Sequence, residues 1–409
     1  MAKKLRVLSV YEGFFAGGAR ILHSDVLVGL ERQGSRNFVL SLNEVMRRDA
    51  TIQNMRENSC YQHLTSAGII VDSLRPYSEE LPDPTVFNEA ELLRFEQYAS
   101  RADVILSLKE QPLHLINQAN TGGKPIIVCL HRSDPENQGA ALFELQKAIL
   151  TGQVVACICC AESTRDAYFR AGIPAEKLHV VTNGVNLLRF KPDPIGRVRL
   201  RAELGIPQES PVVVFAARYD RMKNVPLFLR SAKLYLEQEP KAHITMCGSG
   251  MSFDNQDLYK HLTKIFKSTS ALLERIHLLS IRRDIEVVYA AADIVTLTSS
   301  VGEAYPLSLV EGMMCGAVPV ATDIGDSAAI VTNRGIVVSS NPTAIVSAWQ
   351  QAYVRRGEFA ATAAQDRSLF SREKMVAAYW LIIRRLHKQS QVRSPQGQPN
   401  NADLAPAVA

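Results

Sequence analysis

Short apolar blocks recur along this chain, each running into a turn rich in glycine, proline or charge, with amphipathic segments of helical period between them. Residues 5–10, 38–42, 103–108, 125–130, 154–159 and 178–181 read as buried strands in the first half. Residues 212–216, 243–247, 276–279, 293–297 and 317–321 do so in the second. Helices are predicted over residues 21–33, 163–171 (opened by a Ser163 cap), 199–204, 285–292 and 307–314. Apolar strands alternating with helices predict an α/β architecture. Residues 43–95 resist this reading and yield only a few helical turns and a strand near residues 68–74. Phe370-Ser371-Arg372-Glu373 opens a long amphipathic helix over residues 371–388, and the polar, Pro-, Asn- and Gln-rich residues 389–409 read as disordered.

Composition narrows the class. At 409 residues, with 46% apolar and 21% charged residues, the chain has the material for two soluble domains, each with its own core. No run of about eighteen apolar residues is present, so no transmembrane segment is expected. The N-terminus begins basic and turns apolar as a signal peptide does, but Arg6 and Ser9 interrupt it and it reads as a first strand. Seven cysteines, an odd number in a long chain, argue against a disulfide framework and for a cytoplasmic location. The run Cys157-Ile158-Cys159-Cys160 has no second cluster to complete a metal site and reads as a buried strand. A net charge of +5 is mild for this length, and no Lys/Arg run points to nucleic acid.

The densest candidate chemistry lies in residues 299–322, SSVGEAYPLSLVEGMMCGAVPVAT. Glu303 and Glu311 stand eight positions apart, the first in a turn after an apolar strand and the second on the apolar helix that follows. A second strand completes a βαβ unit, and such units bind ligands at strand carboxyl ends beside helix N-termini. A carboxylate there repels anions and suits the hydroxyls of sugars and riboses. On spacing alone, an ordinary βαβ unit with two solvated glutamates stands equally well. Arg218 and Lys223 flank the turn after the strand at 212–216; a planar donor fork and a mobile point charge together suit a diphosphate. The bland alternative is a basic surface loop. Gly17 and Gly18 follow the first strand, where glycine lets a backbone approach a ligand closely, and His131 follows the strand at 125–130, with Asp134 nearby.

Glu303, seven residues, Glu311 and then Cys315-Gly316-Ala317-Val318-Pro319-Val320 resemble the signature of glycosyltransferase family 4, retaining nucleotide-sugar-dependent enzymes of the GT-B fold. Gly17-Gly18-Ala19 resembles that family's first loop. Thr182-Asn183-Gly184-Val185-Asn186 and Arg189-Phe190 resemble its connector, with Asn186 replacing the usual Asp. Arg218 and Lys223 resemble its cationic pair, with Ala217 and Asn224 replacing two glycines. The resemblance covers residues 5–388. It implies two Rossmann-like domains facing across a cleft: 1–190 binding acceptor, 191–370 binding the nucleotide sugar, and the 371–388 helix crossing back, with Pro192 to Pro194 as linker. It implies catalytic roles for Arg218, Lys223, His131 and Glu303. Donor contacts are implied for Gly17, Gly18, Arg218, Lys223, Arg282, Glu303, Ala304, Tyr305, Leu307 and Glu311. Where many members have Glu-Gly-Phe-Gly, this chain has Glu303-Ala304-Tyr305-Pro306, and Pro306 offers no amide donor.

The function this implies is transfer of a sugar from a nucleotide diphosphate to an acceptor hydroxyl by front-side attack. No Asp-x-Asp triplet is present, so no metal or other cofactor is expected. Glu79, Glu80, Asp83, Glu89, Glu91 and Glu96, with Arg94 the only basic residue among them, favour a polar small-molecule acceptor, such as an aminocyclitol or natural-product aglycone. A solvated loop is the plainer reading of that stretch. Three other functions stay open: a nucleotide-sugar epimerase, a non-catalytic sugar-nucleotide-binding protein, and a peripheral membrane transferase with a lipid or polysaccharide acceptor.

Overall fold

Two doubly wound parallel sheets organise the computed structural model, which describes residues 4–15, 17–48, 51–76, 83–267 and 269–393. The first is built from β1 (Arg6–Gly13), β2 (Arg36–Asn43), β5 (Ile70–Arg75), β6 (Val104–Leu108), β7 (Ile126–Leu130), β8 (Val154–Cys159) and β9 (Leu178–Val180), in the order β5-β2-β1-β6-β7-β8-β9. The second takes β10 (Val212–Ala216), β11 (His243–Cys247), β12 (Ile276–Leu278), β13 (Ile294–Leu297), β14 (Val318–Thr322) and β15 (Ile336–Val338), in the order β12-β11-β10-β13-β14-β15. Strand order reverses between β1 and β6 and again between β10 and β13. At such a switch point the flanking crossovers part to opposite faces and leave a crevice outside the strand ends. Each sheet buries an apolar layer on both faces.

Several elements differ from the sequence-based expectation, each for a local reason. Inside the unassigned residues 43–95, β3 (Val45–Arg48) and β4 (Thr51–Asn54) pair as an antiparallel hairpin, and strands of four residues are too short to show an alternating pattern. The helix after β8 spans Glu162–Arg170 and its N-cap is Ala161, so Ser163 lies inside it and caps nothing. The first helix of the second domain is Pro194–Glu203. Asp193 caps it by accepting from Gly196 N at 2.9 Å, so Pro194 is a first-turn residue rather than linker.

The last helix, Arg372–Arg393, returns to the first domain. Met375, Val376, Tyr379 and Ile383 lie in the same core as Val7, Val26 and Leu30, and Arg372 Nη1 meets Asp25 Oδ1 at 3.1 Å. It extends past residue 388 because Gln389, Ser390 and Gln391 only have to propagate a helix already nucleated upstream. Residues 394–409, the rest of the stretch read as disordered, lie outside the described residues.

The helix is hung from the connector by backbone pairing: Val185 N donates to Phe370 O at 2.8 Å and Arg372 N to Val185 O at 2.9 Å. Gly184 permits this approach, since a Cβ there would fall 2.3 Å from Ser371 O. Gly184→Ala is therefore expected to lower stability by about 1–3 kcal/mol, the usual cost of forcing an extra methyl into packed structure. Denaturant unfolding checks this; a wild-type midpoint would show that the pairing can give way freely.

Candidate active site

The β10 and β13 ends meet at the second switch point, and their loops carry most of the residues predicted to hold a donor. After β10, Asp220 caps the turn Arg221–Lys223 by accepting from Met222 N at 2.9 Å. Asn224, in the left-handed region at φ 49°, then caps the helix Val225–Gln238. The β13 loop grips this turn: Thr298 Oγ1 donates to Lys223 O at 3.0 Å and Ser300 N to Met222 O at 2.9 Å.

Lys223 Nζ contacts Glu303 Oε1, which also accepts from Ser299 Oγ at 2.6 Å. Glu303 is 8% exposed, and Arg218 pairs with Asp220 at 2.8 Å. In the protein's own contacts the two cations therefore do not converge. Each takes a carboxylate of the site, because an unpaired charge in a partly buried loop is costly. Glu311, one turn into the helix Leu307–Met314, accepts from Tyr289 OH at 3.1 Å, and burial pushes its carboxyl up to about 7. Arg282 is engaged by Asp284 at 2.8 Å and Glu203 at 3.2 Å. It stands in the loop that follows β12.

The loop from Glu303 to Tyr305 is also a contact point between domains. Ser133 Oγ donates to Glu303 O at 2.6 Å, and Ala304 and Tyr305 form a small apolar cluster with Cys160 and Ala161. Leu307 packs against the cores of both domains. Asp326 is the tie. Its carboxylate accepts from Glu162 N at 2.8 Å and Ser163 N at 2.9 Å, capping a first-domain helix, while its own N–H donates to Ala304 O at 2.8 Å. Gly325 stands beside it with φ 58°, and a Cβ there would lie 2.5 Å from the carbonyl oxygens of Glu303 and Ala304.

Across the cleft, both ring nitrogens of His131 are buried without a partner among the described residues. Burial, with His23, Lys109 and Arg20 nearby, holds it well below the ordinary imidazole range, so it is neutral. Arg132 Nε donates to Asp134 Oδ1 at 2.6 Å. Gly17 caps the helix Gly18–Arg32, which starts three residues earlier than its apolar period suggests. A Cβ on Gly17 would come no nearer than 3.8 Å to Arg20 Nη1, and one on Gly18 would meet nothing within 4 Å, so the protein's own packing does not demand either glycine.

The acidic stretch is largely committed elsewhere. Asp83 accepts from Thr85 N at 2.7 Å, Glu91 pairs with Arg75 at 2.7 Å and closes a capping box with Asn88, and Glu96 accepts from Asn120 N at 2.7 Å. Arg94 pairs with Asp72 at 2.8 Å. Glu79 and Glu80 lie outside the described residues. Sequence reasoning missed Ser133, Asp326 and Tyr289. Each acts through a partner more than twenty positions away, and no local spacing signals such a contact.

Comparison with known proteins bears on the family and the fold. The profile described as Glycosyltransferase Family 4 matches residues 17–189, and that described as Glycosyl transferases group 1 matches residues 197–360. D-inositol 3-phosphate glycosyltransferase of Xylanimonas cellulosilytica is 28% identical over 215 residues, covering 51% of this chain and 49% of that protein. Alpha-galactosylglucosyldiacylglycerol synthase of Streptococcus pneumoniae is 33% identical over 149 residues, covering 36% and 38%. The matches thus span about half the length, or less, of these curated relatives. Among solved structures, Anabaena HepE in complex with UDP superposes with a TM-score of 0.75 at 20% identity, covering 93% of this chain and 100% of that one. Sucrose-phosphate synthase from Thermosynechococcus elongatus gives 0.68 at 17% identity, covering 94% and 100%. At such identities the likeness establishes the fold, two Rossmann-like domains of GT-B type.

The Glu311 carboxyl carries a pH signature. Its folded pKa is raised from 4.5 to about 7, so its contribution to stability is complete below 4.5 and is lost as pH rises through 7. The melting temperature is expected to fall by several degrees between pH 5 and pH 8, and Glu311→Gln to flatten part of that fall. A pH profile identical in the variant would contradict the assignment.

Proposed function

Because this chain belongs to glycosyltransferase family 4, we propose that it moves a sugar from a nucleoside diphosphate sugar to a hydroxyl of a polar acceptor, with retention at the anomeric carbon. The observation that carries this reading is the contact of Lys223 with Glu303 at the second switch point, with Arg218 and Asp220 paired on the same loop. An entering diphosphate takes over Lys223 and Arg218 from these carboxylates, and the released Glu303 accepts from a sugar hydroxyl. The bond from the anomeric carbon to the diphosphate breaks with its electron pair passing to the phosphate oxygen. There the two cations stabilise the growing charge. The acceptor oxygen bonds to the anomeric carbon from the same face, and its proton passes to the departing phosphate oxygen.

Neutral His131 meets the sugar from the opposite domain, and Glu311 accepts from the ribose hydroxyls. The loop of Arg282 lines the base, while Gly17 and Gly18 admit the ligand to the backbone. Ala304, Tyr305 and Leu307 hold the sugar side of the loop in place. A uridine donor draws support from HepE, which has been solved with UDP and with UDP-glucose. For the acceptor, the D-inositol 3-phosphate glycosyltransferases favour a polar, polyhydroxylated small molecule. The committed carboxylates of the acidic stretch give no support to an amine. A lipid acceptor is the second reading, favoured by the diacylglycerol-named relative; no described helix is long and apolar enough to cross a membrane.

Lys223→Ala and Arg218→Ala should each depress turnover roughly a hundredfold or more, as loss of leaving-group stabilisation does. Steady-state kinetics with UDP-, GDP- and ADP-sugars check this, and rates within a few-fold of wild type for both variants would remove the diphosphate role. Turnover is further expected to persist in excess EDTA; loss that Mg²⁺ or Mn²⁺ restores would reveal a metal requirement.

A further inference from the structure

The first sheet has a switch point too, between β1 and β6, and the loop leaving β6 brings Lys109 and Glu110 to it. Parallel pairing sets their level: Leu108 lies opposite Cys129, and Lys109 N donates to Cys129 O at 3.0 Å. The turn therefore leaves the sheet beside the end of β7, which His131 follows. The loop is held in an unusual shape. Lys109 has φ 68°, a left-handed conformation that a long side chain adopts at a cost, and Ser107 Oγ secures it by donating to Lys109 O at 2.7 Å.

Glu110 is 1% exposed, and its Oε1 has no hydrogen-bond partner among the described residues. A buried acceptor atom left unpaired is costly, and in a native protein it calls for an occupant. The charges around it are unequal. Arg132 is matched by Asp134, and Arg20 meets Glu12 at 3.5 Å, whereas the half-buried Lys109 ammonium makes no ion pair or hydrogen bond among the described residues. Burial pushes the Glu110 carboxyl up to about 7 and the Lys109 ammonium down, the latter with help from Arg20. At the crevice the Lys109 ammonium thus stands beside the Glu110 carboxyl, with Arg20, Arg132 and Glu12 the other charges that face it.

We propose that Lys109 and Glu110 form an acceptor subsite for a polyol that carries an anionic group, Lys109 pairing with the anion and Glu110 hydrogen-bonding a ring hydroxyl. This deepens the transferase reading above and rests on it. A phosphate has the required charge, whether free on a soluble polyol or as the headgroup of a lipid. Glu110 and His131 follow the ends of neighbouring strands, in the domain that faces Lys223 and Glu303.

The test uses the full chain in saturating UDP, titrated calorimetrically with D-inositol 3-phosphate and with myo-inositol. Wild type is expected to favour the phosphate at least tenfold. Lys109→Gly, whose residue suits the left-handed backbone, should abolish that preference and leave myo-inositol binding in place. Glu110→Ala should weaken both ligands about tenfold, while Glu110→Gln, which keeps a neutral hydrogen-bonding group, should restore most of the myo-inositol affinity. UDP affinity should match wild type in every variant, which separates loss of the subsite from loss of the fold. Co-sedimentation with phosphatidylinositol vesicles, lost in Lys109→Gly, would assign the anion to a lipid headgroup; binding of the soluble phosphate alone would assign it to a free one. A Lys109→Gly protein that keeps the phosphate preference, or a wild type that binds neither polyol nor vesicle, overturns the subsite. A wild type that binds no nucleoside diphosphate sugar overturns the transferase reading instead.

Discussion

One carboxylate decides how the two halves of this protein meet. Asp326 accepts from the first two N–H groups of the helix Glu162–Arg170, and its own amide donates into the loop of Glu303 to Tyr305. Helix amino ends carry partial positive charge and unsatisfied donors, and within this helix no side chain caps them. The first domain therefore supplies a demand that only the second meets. Around that tie lie the Ser133 contact, the apolar cluster at Cys160 and Ala161, and the double packing of Leu307. The loop carrying Glu303 is consequently shaped by both domains at once.

The charges of the cleft are arranged to compete. Lys223 and Arg218 rest on Glu303 and Asp220, groups that have their own use for the same space. In the proposed transfer, a dianionic ligand would exchange these two internal pairs for two new ones and free Glu303 and Asp220 to accept from hydroxyls. Binding of the anion and of the hydroxyls would thereby be linked.

Much of this was legible in the sequence. Residues 212–216, 243–247 and 307–314 coincide with their observed elements, because buried strands and a strongly apolar helix write their period into the chain. The cationic pair and Glu303 fall on the loops after β10 and β13, the strands that flank the second switch point. Contacts made over long separations could not be read. Asp326 caps a helix 164 positions away, so the local serine was the natural but wrong choice. Lys109 and Glu110 belong to no motif; their interest comes from strand order, which brings β6 beside β1, and from a backbone torsion. The β3–β4 hairpin escaped because its strands are shorter than the period that would announce them.

The return of the last helix has a consequence for how the chain is made. The core around Val7, Val26 and Leu30 is completed by Met375, Val376 and Tyr379, residues that a ribosome adds after the entire second domain. The first domain, although synthesised first, must wait with an apolar face uncovered while the second folds behind it. Contacts of such sequence separation are slow to form, and uncovered apolar surface attracts other chains. The core of the first domain is thus completed only by residues that follow the second.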